Sequence, residues 1–517
     1  MILGSLLPYF VFAQISLQAF QNFLERDDNL RLATVKNVAA VREFYSTSKY
    51  SFAWLVPDGQ NRLRSVQRLL QEAPAAGLIM YNYHISLIDS LAAGKISFVS
   101  PIDSFTTEVK LTDAILQFLH DITYGRNTPL LGYNGITNER QQCRSLANSL
   151  AVSIYSYRLD SLLNEVEPTT EVYRAIRNKL TWLQQIVREK NFEEVVIQAK
   201  QVTRTNHSLI KKFYQLGILL SEPDSLTIEQ FSTAVKDAQR LFDFIPDGRL
   251  QPTLLARLNV PVNGRIQQLV ASLDAYRWLY CLQRNQPVIV VNIPAAFLKV
   301  YAADTIMLQM KVVTGKPSTP SPTLSSTITE VVLYPYWMVP RSIATKELLP
   351  LIKRNPGFLD DGGYQLLNSQ GNIIDPYTVD WLSVTKANFS YSIRQSTGCD
   401  NSLGLIKLDF YNPFSVYLHD TPAKNLFQRQ KRFFSHGCIR LEHAFALARL
   451  LLKDNTEAVD TLSQKGCLLH KKPVPVAASQ PMQLVVWYNL VDTDNDGSLV
   501  FYDDIYRRNI AVKSRKN

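Results

Sequence analysis

The segment FFSHGCIRLEH, residues 433–443, gathers residues that could do chemistry around one cysteine, Cys438. His436 lies two positions before the cysteine, and another histidine, His419, lies nineteen positions upstream. The chain has only seven histidines and five cysteines in 517 residues, so this local density is unusual. A thiol close to an imidazole that can take its proton is typical of nucleophilic catalysis through a covalent intermediate.

The residues around Cys438 suit the same chemistry. In an extended segment side chains alternate between faces, which would point His436, Cys438 and Arg440 the same way. Gly437 would let a substrate carbonyl approach the backbone amides of residues 437 and 438, which could act as an oxyanion hole. The stretch LEHAFALARLLLK predicts a helix that begins near Leu441, and a helix N-terminus beside the thiol would lower its pKa.

Two other interpretations of Cys438 are open. It could be a small buried hydrophobic residue, as single cysteines often are, but this leaves the neighbouring histidines unexplained. It could also bind zinc, but a zinc site prefers a second close cysteine, and only Cys467 lies within thirty residues. The residues therefore favour a nucleophile, with no metal and no organic cofactor.

The composition describes an ordinary folded protein of several domains. Hydrophobic residues make up 46% of the chain and charged residues 19%, which excludes a disordered scaffold. Single cores stop growing near ~250–300 residues, so this length predicts two to four domains. The net charge of +10 suits an anionic partner, but it is spread thinly and no nucleic-acid motif is present.

The N-terminus predicts export. Residues 2–13 are apolar, too few to span a bilayer, and they end in Val11-Phe12-Ala13, which suits a signal peptidase. A signal peptide is therefore expected over residues 1–14, although the usual basic segment before it is missing, and a buried first helix is the alternative. No later segment resembles a membrane span. The five cysteines are too few and too scattered to predict a disulfide framework.

Hydrophobic periodicity divides the chain into a helical and a β-rich part, an α+β multidomain class. Stretches such as LTDAILQFLHDITYG and VYRAIRNKLTWLQQIVREK repeat apolar residues at helical spacing, whereas VIVVNIPAAFLKVY is a β-branched run. The predicted organisation is a helical domain at 15–225, a helix–turn–helix unit at 226–262, a connecting helix at 263–286, a β-rich domain at 287–470 with a lid-like insertion at about 342–385, and a C-terminal β-hairpin extension at 471–517.

The stretch YLHDTPAKNLFQRQKRFFSHGCIRLEH resembles the catalytic signature of the L,D-transpeptidases of the YkuD fold, an upstream His followed by Ser/Thr-His-Gly-Cys-x-Arg. Further stretches resemble the large, multidomain branch of that family: VNIPAAFLKVY, VVTGKPSTPSPTLSSTI, PYWMVPRSIATKELLP, IRQSTGCDNSLGLIKLDFYNPFSVYLHDTPAK and residues 226–262. This branch carries a helical scaffold and a peptidoglycan-binding-like module ahead of the catalytic domain.

The resemblance implies roles for individual residues. Cys438 would be the nucleophile and His419 the general base and acid. The implied supporting residues are His436, Gly437, Ser435 and Arg440, and the implied substrate-binding residues are Tyr336, Trp337, Asn401 and Tyr417. Where the family pattern leads one to expect Gly-Pro, this chain has Gly398-Cys399, which could bring a second thiol near the pocket.

The implied function is peptidoglycan cross-linking in the periplasm of a Gram-negative cell. Stem peptides would be both acyl donor and acceptor, without nucleic acid, without an integral membrane span and with unknown protein partners. An L,D-carboxypeptidase, another cell-wall cysteine peptidase and a wall-binding scaffold are the alternatives. In common wall amidases the Cys precedes the His, the reverse of the order here.

A second motif, DTDNDGSLVFYDD, matches the spacing of an EF-hand calcium loop through Asp492, Asp494, Asp496, Gly497 and Asp503. Calcium loops prefer Glu at the last position and helices on both sides, whereas both flanks here have strand character. Asp-Gly between two such runs predicts a β-hairpin turn instead.

Overall fold

The structure, a computed structural model, describes residues 17–136, 143–198, 203–453, 455–465 and 472–508. The N-terminal part of these residues is helical and the C-terminal part is rich in strands, which confirms the predicted α+β class. The expected signal peptide at 1–14 lies outside the described residues. Within the described ranges, no helix has both the length and the apolar character that a membrane crossing requires.

The helices up to residue 166 pack around one aromatic-rich core that contains Phe20, Phe44 and Trp54, and the two helices after them belong to a second cluster. The helix α6 shows how the sequence starts such an element: Ser100 and Asp103 form a reciprocal capping box, and Pro101 occupies the first turn. The helices are α1 (Leu17–Glu25), α2 (Asp27–Leu32), α3 (Val38–Thr47), α4 (Gly59–Gln71), α5 (Ile85–Ala92), α6 (Pro101–Tyr124), α7 (Leu146–Tyr155), α8 (Leu162–Val166), α9 (Glu171–Arg188) and α10 (His207–Gln215).

The predicted helix–turn–helix unit and the helix after it are present. Thr227 and Gln230 form a second capping box at the start of the unit. The helices are α11 (Ile228–Leu241), α12 (Pro252–Leu258) and α13 (Val262–Asn285). The unit does not have a core of its own, because its apolar side chains share one cluster with α9, α13 and the outer face of the main sheet.

The β-rich part is one large sheet that closes on itself. Its strands follow the order β1-β5-β10-β11-β13-β4-β3-β2-β14, and β14 pairs again with β5. They are β1 (Tyr133–Asn134), β2 (Val288–Asn292), β3 (Phe297–Ala302), β4 (Thr305–Gly315), β5 (Leu324–Leu333), β10 (Ile406–Phe410), β11 (Leu418–His419), β13 (Ile439–Leu441) and β14 (Val474–Trp487), with β12 (Phe433–Ser435) paired to β4.

The sheet is buried on both faces where it meets the helices. In β2, Ile289 and Val291 point into the inner core with α17 (Ala444–Leu452) and α18 (Glu457–Lys465), whereas Val288 and Val290 face the α13 side. Burial on both faces explains why this stretch reads as a continuous β-branched run.

The predicted lid-like insertion forms a compact subdomain with its own apolar cluster, which includes Trp381 and Phe389. It mixes short helices with a small sheet of order β6-β9-β7-β8, whose strands the sequence analysis missed. Its elements are β6 (Trp337–Met338), α14 (Arg341–Ile343), a π-helical turn (Ala344–Leu348), α15 (Leu349–Arg354), α16 (Phe358–Asp361), β7 (Tyr364–Leu367), β8 (Ile373–Ile374) and β9 (Ser392–Gln395).

The C-terminal region differs from the predicted hairpin extension at 471–517. Strand β14 is part of the main sheet, paired with β2 and β5, and only β15 (Val491–Thr493) and β16 (Leu499–Phe501) form a hairpin. The hairpin confirms the turn predicted for DTDNDGSLVFYDD. Asp492 pairs with the buried Lys299, and Asp494 accepts hydrogen bonds from the amides of Asp496 and Ser498 within the turn.

Candidate active site

Cys438 lies at the entrance of β13, where that strand runs beside β11. The two strands are parallel, with Leu418 opposite Ile439 and His419 opposite Arg440. Leu418, Ile439 and Leu441 point into the inner core. The alternation of side chains therefore sends His419 and Arg440 to the other face of the sheet, the face on which the site is built.

The helix predicted to begin near Leu441 begins instead at Ala444, so that part of the sequence analysis is wrong. Residues 439–441 form a strand because they pair with β4 and β11, and this tertiary pairing outweighs the helical pattern that follows. Cys438 consequently lacks a helix N-terminus. Burial raises the pKa of its thiol above the ordinary value, while hydrogen bonds from Tyr417 act in the lowering direction.

The loop before the cysteine is bent rather than extended. Gly437 has φ +122°, a left-handed conformation that favours glycine, and residues 436–438 form a bend between two strands. The expected alternation of His436, Cys438 and Arg440 on one face is therefore wrong. The imidazole of His436 instead reaches the lid-like subdomain, with Nε2 2.7 Å from Glu347 Oε1 and 3.4 Å from Lys316 Nζ.

Hydroxyl groups hold this bend in place. Ser435 Oγ accepts a hydrogen bond from the Gly437 amide at 3.2 Å and donates to the Cys438 carbonyl at 2.6 Å. Ser321 Oγ donates to the Gly437 carbonyl at 2.7 Å. Ser435, one of the implied supporting residues, thus shapes the turn. The Gly437 amide, expected in the oxyanion hole, is bound to Ser435 in this structure.

His419 is buried at 4% exposure and held in one tautomer. Its Nδ1 lies 2.5 Å from the carbonyl oxygen of Asp420, so the ring proton sits on Nδ1 and Nε2 is left as the proton acceptor. Burial, and then the positive charge of Arg440, lower the pKa of His419 to about 3. The imidazole is therefore neutral at neutral pH.

The strand register brings His419 near Cys438. His419 faces Arg440 across the strand pair, and Cys438 precedes Arg440 by two residues. Neighbouring strands lie about 4.8 Å apart with about 3.3 Å per residue along a strand, so the two Cα atoms are roughly 8 Å apart. An imidazole and a thiol that extend from such positions can meet in the space between the strands.

Tyr417 contacts the thiol directly. The residue stands beside Cys438 across the strand pair, since its carbonyl accepts the Ile439 amide at 3.1 Å, and its hydroxyl is hydrogen-bonded to the Cys438 side chain. Trp337 hydrogen-bonds the same hydroxyl, and burial raises the pKa of Tyr417. Lys407 Nζ lies 4.7 Å from the centre of the Tyr417 ring. Tyr417 and Trp337, both expected to bind substrate, therefore line the thiol.

Arg440 contributes charge to this face. Its guanidinium is partly buried, which lowers its pKa, and it raises the cost of protonating His419. The Nε atom of Arg440 is buried and has no hydrogen-bond partner among the residues that the structure describes. A substrate carboxylate is a group that could satisfy it.

The contacts of Tyr336 and Asn401 are with residues other than Cys438. The guanidinium of Arg394 stacks 4.3 Å above the ring of Tyr336. The amide of Asn401 is buried and donates to the carbonyls of Pro335 and Ser396. Asn401 therefore ties the 396–401 turn to the start of the insertion, and its substrate-binding role stays a prediction.

The structure contains disulfides, although the cysteines are too few and too scattered in the sequence to predict a disulfide framework. Cys143 is bonded to Cys281, which links the N-terminal helices to α13. Cys399 is also disulfide-bonded, so the expectation of a second thiol near the pocket is wrong. Cys467 lies outside the described residues, and in the part of the chain that the structure describes Cys438 is the free cysteine.

Sequence reasoning missed three charged residues near the site, Lys407, Asp409 and Glu347. Lys407 pairs with His419 in the strand register and forms an ion pair with Asp409 at 2.7 Å. The alternation in IKLDF, polar at every second position, could have placed both on the face opposite the core. Glu347 carried no such signal, because its contact with His436 spans 89 residues of sequence. The described residues contain no group of three or more side chains suited to a metal ion.

Two family models match the chain. Residues 286–476 match YkuD, the L,D-transpeptidase catalytic domain, and residues 39–180 match a family described as a scaffold domain. The resemblance found in the sequence is thereby confirmed for these two regions.

One relative is a Haemophilus influenzae protein named "Putative L,D-transpeptidase", 35% identical over 218 residues. That match covers 42% of this chain and 44% of the relative, so the chain spans less than half the length of the curated relative it matches. Similar solved structures include an L,D-transpeptidase from Mycobacterium smegmatis (13% identical, 39% of this chain and 58% of that chain, TM-score 0.17). L,D-transpeptidase 3 from Mycobacterium tuberculosis is another (12% identical, 39% and 61%, TM-score 0.19).

Proposed function

We propose that this chain, which carries a YkuD L,D-transpeptidase catalytic domain and a scaffold domain, cross-links peptidoglycan stem peptides through a thioester on Cys438. The single observation that carries the proposal is the free thiol of Cys438, contacted by Tyr417 inside the matched domain, with His419 opposite Arg440 on the neighbouring strand. Neither a scaffold nor a zinc protein needs this arrangement.

In the first step, Sγ of Cys438 attacks the carbonyl carbon of the third stem residue, a diamino acid in its L configuration. His419 Nε2 takes the thiol proton and passes it to the amine of the departing D-Ala, so a thioester and free D-Ala result. Burial penalises a lone thiolate and a lone imidazolium, but the two charges form together as an attracting pair. A raised thiol pKa and a low imidazole pKa keep both groups neutral in the resting site, so we expect deprotonation to coincide with attack.

The developing oxyanion needs donors. We expect the Cys438 amide to supply one, and the Gly437 amide to supply another only if it leaves Ser435 Oγ. Arg440 would meet a stem carboxylate with its unpartnered Nε. In the second step, an amine of a neighbouring stem attacks the thioester, which restores the thiol and creates the cross-link.

Transfer to an amine competes with hydrolysis, so water must be kept from the thioester. The subdomain over residues 337–395 is our candidate for this function, since Glu347 of its π-helical turn reaches His436 beside the thiol. An L,D-carboxypeptidase would use the same residues with water as the acceptor. The matched domain favours the transferase. The products distinguish the two enzymes, since a transferase makes cross-linked dimers and a carboxypeptidase makes shortened monomers.

We further propose that the protein acts in the periplasm. Disulfides persist in oxidising compartments, and the bond between Cys143 and Cys281, with Cys399 also bonded, supports export. The 226–262 unit resembles a peptidoglycan-binding module, but its core is shared with its neighbours, which supports bracing of the domain at least as well as binding of the polymer.

Mass spectrometry with a carbapenem tests the enzymatic class. A covalent adduct of one carbapenem per chain, located on Cys438, is the expected result. A protein that forms no adduct, or forms one at another residue, contradicts the proposal and favours the wall-binding scaffold.

A further inference from the structure

The loop that joins β10 to β11 presents two aromatic rings to solvent. Tyr411 is 77% exposed and Phe414 is 41% exposed, although both are large apolar side chains in an otherwise well-packed domain. Tyr133, from the N-terminal part of the chain, packs behind Tyr411 with 6.0 Å between ring centres. Aromatic faces held at a surface in this way are ready to stack on a ligand.

The loop is rigid enough to serve as a binding surface. Asn412 donates to the carbonyls of Phe410 and Val416 and accepts the amides of Phe414 and Val416, so one side chain holds both ends of the loop. Tyr133 is itself anchored, because β1 extends the main sheet along β5. A ligand would therefore not have to order the loop when it binds.

The loop continues directly into the site. A Cβ at Gly437 would stand 3.7 Å from Val416 Cγ1, and the next residue, Tyr417, contacts the thiol of Cys438. Phe414 precedes Tyr417 by three residues, which is at most about 10 Å of chain. A stem peptide whose third residue is at the thiol also needs about 10 Å to reach the sugar to which its first residue is attached.

The composition of the loop selects among ligands. Residues 411–416, YNPFSV, carry no charged side chain. An anionic lipid surface or a nucleic acid would require basic residues at this position. A carbohydrate needs apolar ring faces and neutral hydrogen-bonding groups, and the loop offers both.

We propose that Tyr411 and Phe414, braced by Tyr133, bind the glycan strand that carries the stem peptide. This inference rests on the proposed function, since it assigns the sugar part of the same substrate to a second surface. It makes the loop, rather than the 226–262 unit alone, a contact between the protein and the polymer.

Binding of glycan strands from which the stem peptides have been removed tests this surface without catalysis. The full chain is titrated with such strands in a calorimeter, as wild type, Tyr411→Ala and Phe414→Ala. Loss of one stacking ring should weaken binding by about three- to tenfold. Tyr81→Ala is the matched control, because Tyr81 is equally exposed at 80% but lies in the N-terminal helical part.

Tyr411→Trp, which keeps an aromatic face, should retain binding, and unchanged melting temperatures ensure that each variant is folded. The inference is overturned if wild type does not bind the stripped strands, or if Tyr411→Ala binds them as well as Tyr81→Ala does. If the stripped glycan strands do not bind, a protein partner becomes the better candidate for this surface. Because no bond is made in this assay, its outcome is independent of whether the protein forms cross-links.

Discussion

Tyr417 and Cys438 lie side by side, each one residue before its strand, β11 or β13, and the phenol hydroxyl of Tyr417 is hydrogen-bonded to the thiol. Trp337 hydrogen-bonds the same hydroxyl from the edge of the lid-like subdomain. The thiol is therefore linked through one tyrosine to the segment that we propose excludes water. The backbone and the hydroxyl of Tyr417, with the positive charges of Lys407 and Arg440, oppose the effect of burial on the thiol pKa, and no helix dipole takes part.

Replacing Tyr417 by Phe removes that hydrogen bond and should raise the pKa of Cys438. A higher pKa means less thiolate at a given pH, so the curve of iodoacetamide alkylation rate against pH should move to higher pH. Tyr411→Phe, which removes a hydroxyl away from the thiol, serves as the control. An alkylation curve that is the same in Tyr417→Phe and in wild type would show that the hydroxyl does not stabilise the thiolate.

Replacing Cys438 by Ala should abolish covalent acylation while the fold remains. The side chain is small and contacts the core only at the entrance of β13, so the melting temperature should change little. Intact-mass measurement with a carbapenem, together with thermal unfolding, checks both parts. Acylation that persists in a folded Cys438→Ala protein would mean that another residue is the nucleophile.

His419→Ala should lose far more activity than His436→Ala. A positioned general base contributes about 10²–10⁴-fold to the rate, and only His419 is buried with its tautomer held by Asp420. His436 instead contacts Glu347 and should affect the lid-like subdomain. Single-turnover acylation rates of the two variants decide the roles, and the opposite order of effects would reverse them.

Glu347→Gln should increase hydrolysis relative to transfer. The pair formed by Glu347 and His436 is partly exposed, so its loss is worth about 0.2–1 kcal/mol, up to about a fivefold change in closure of the lid-like subdomain. The ratio of trimmed to cross-linked product measures this. Lys346→Gln, one residue away and exposed, is the control. An equal product ratio in both variants would show that Glu347 does not help to exclude water.

The sequence could propose a candidate site because the signal for that site is local. Cys438, His419, Ser435 and Gly437 all lie within twenty residues, and the strand pair β11–β13 brings their segments together. The direction of His436 could not be predicted, since it depends on the bend at Gly437 and on Glu347, which is distant in sequence.

Long-range pairing accounts for the other differences. The bond between Cys143 and Cys281 joins residues 138 positions apart, and β1 adds a strand from a helical region to the main sheet. Strand β14 pairs in parallel with β2 and antiparallel with β5 from the far end of the chain. Neither kind of pairing leaves a periodic pattern that identifies its partner.

The most direct test of the proposed function is incubation of the full chain with purified tetrapeptide-bearing muropeptides, followed by mass spectrometry of the products. We predict dimers joined between two third-position residues, with one D-Ala released per cross-link, and none of these products with Cys438→Ala. Shortened monomers alone would show a carboxypeptidase and not a transpeptidase, and unchanged muropeptides would contradict both activities.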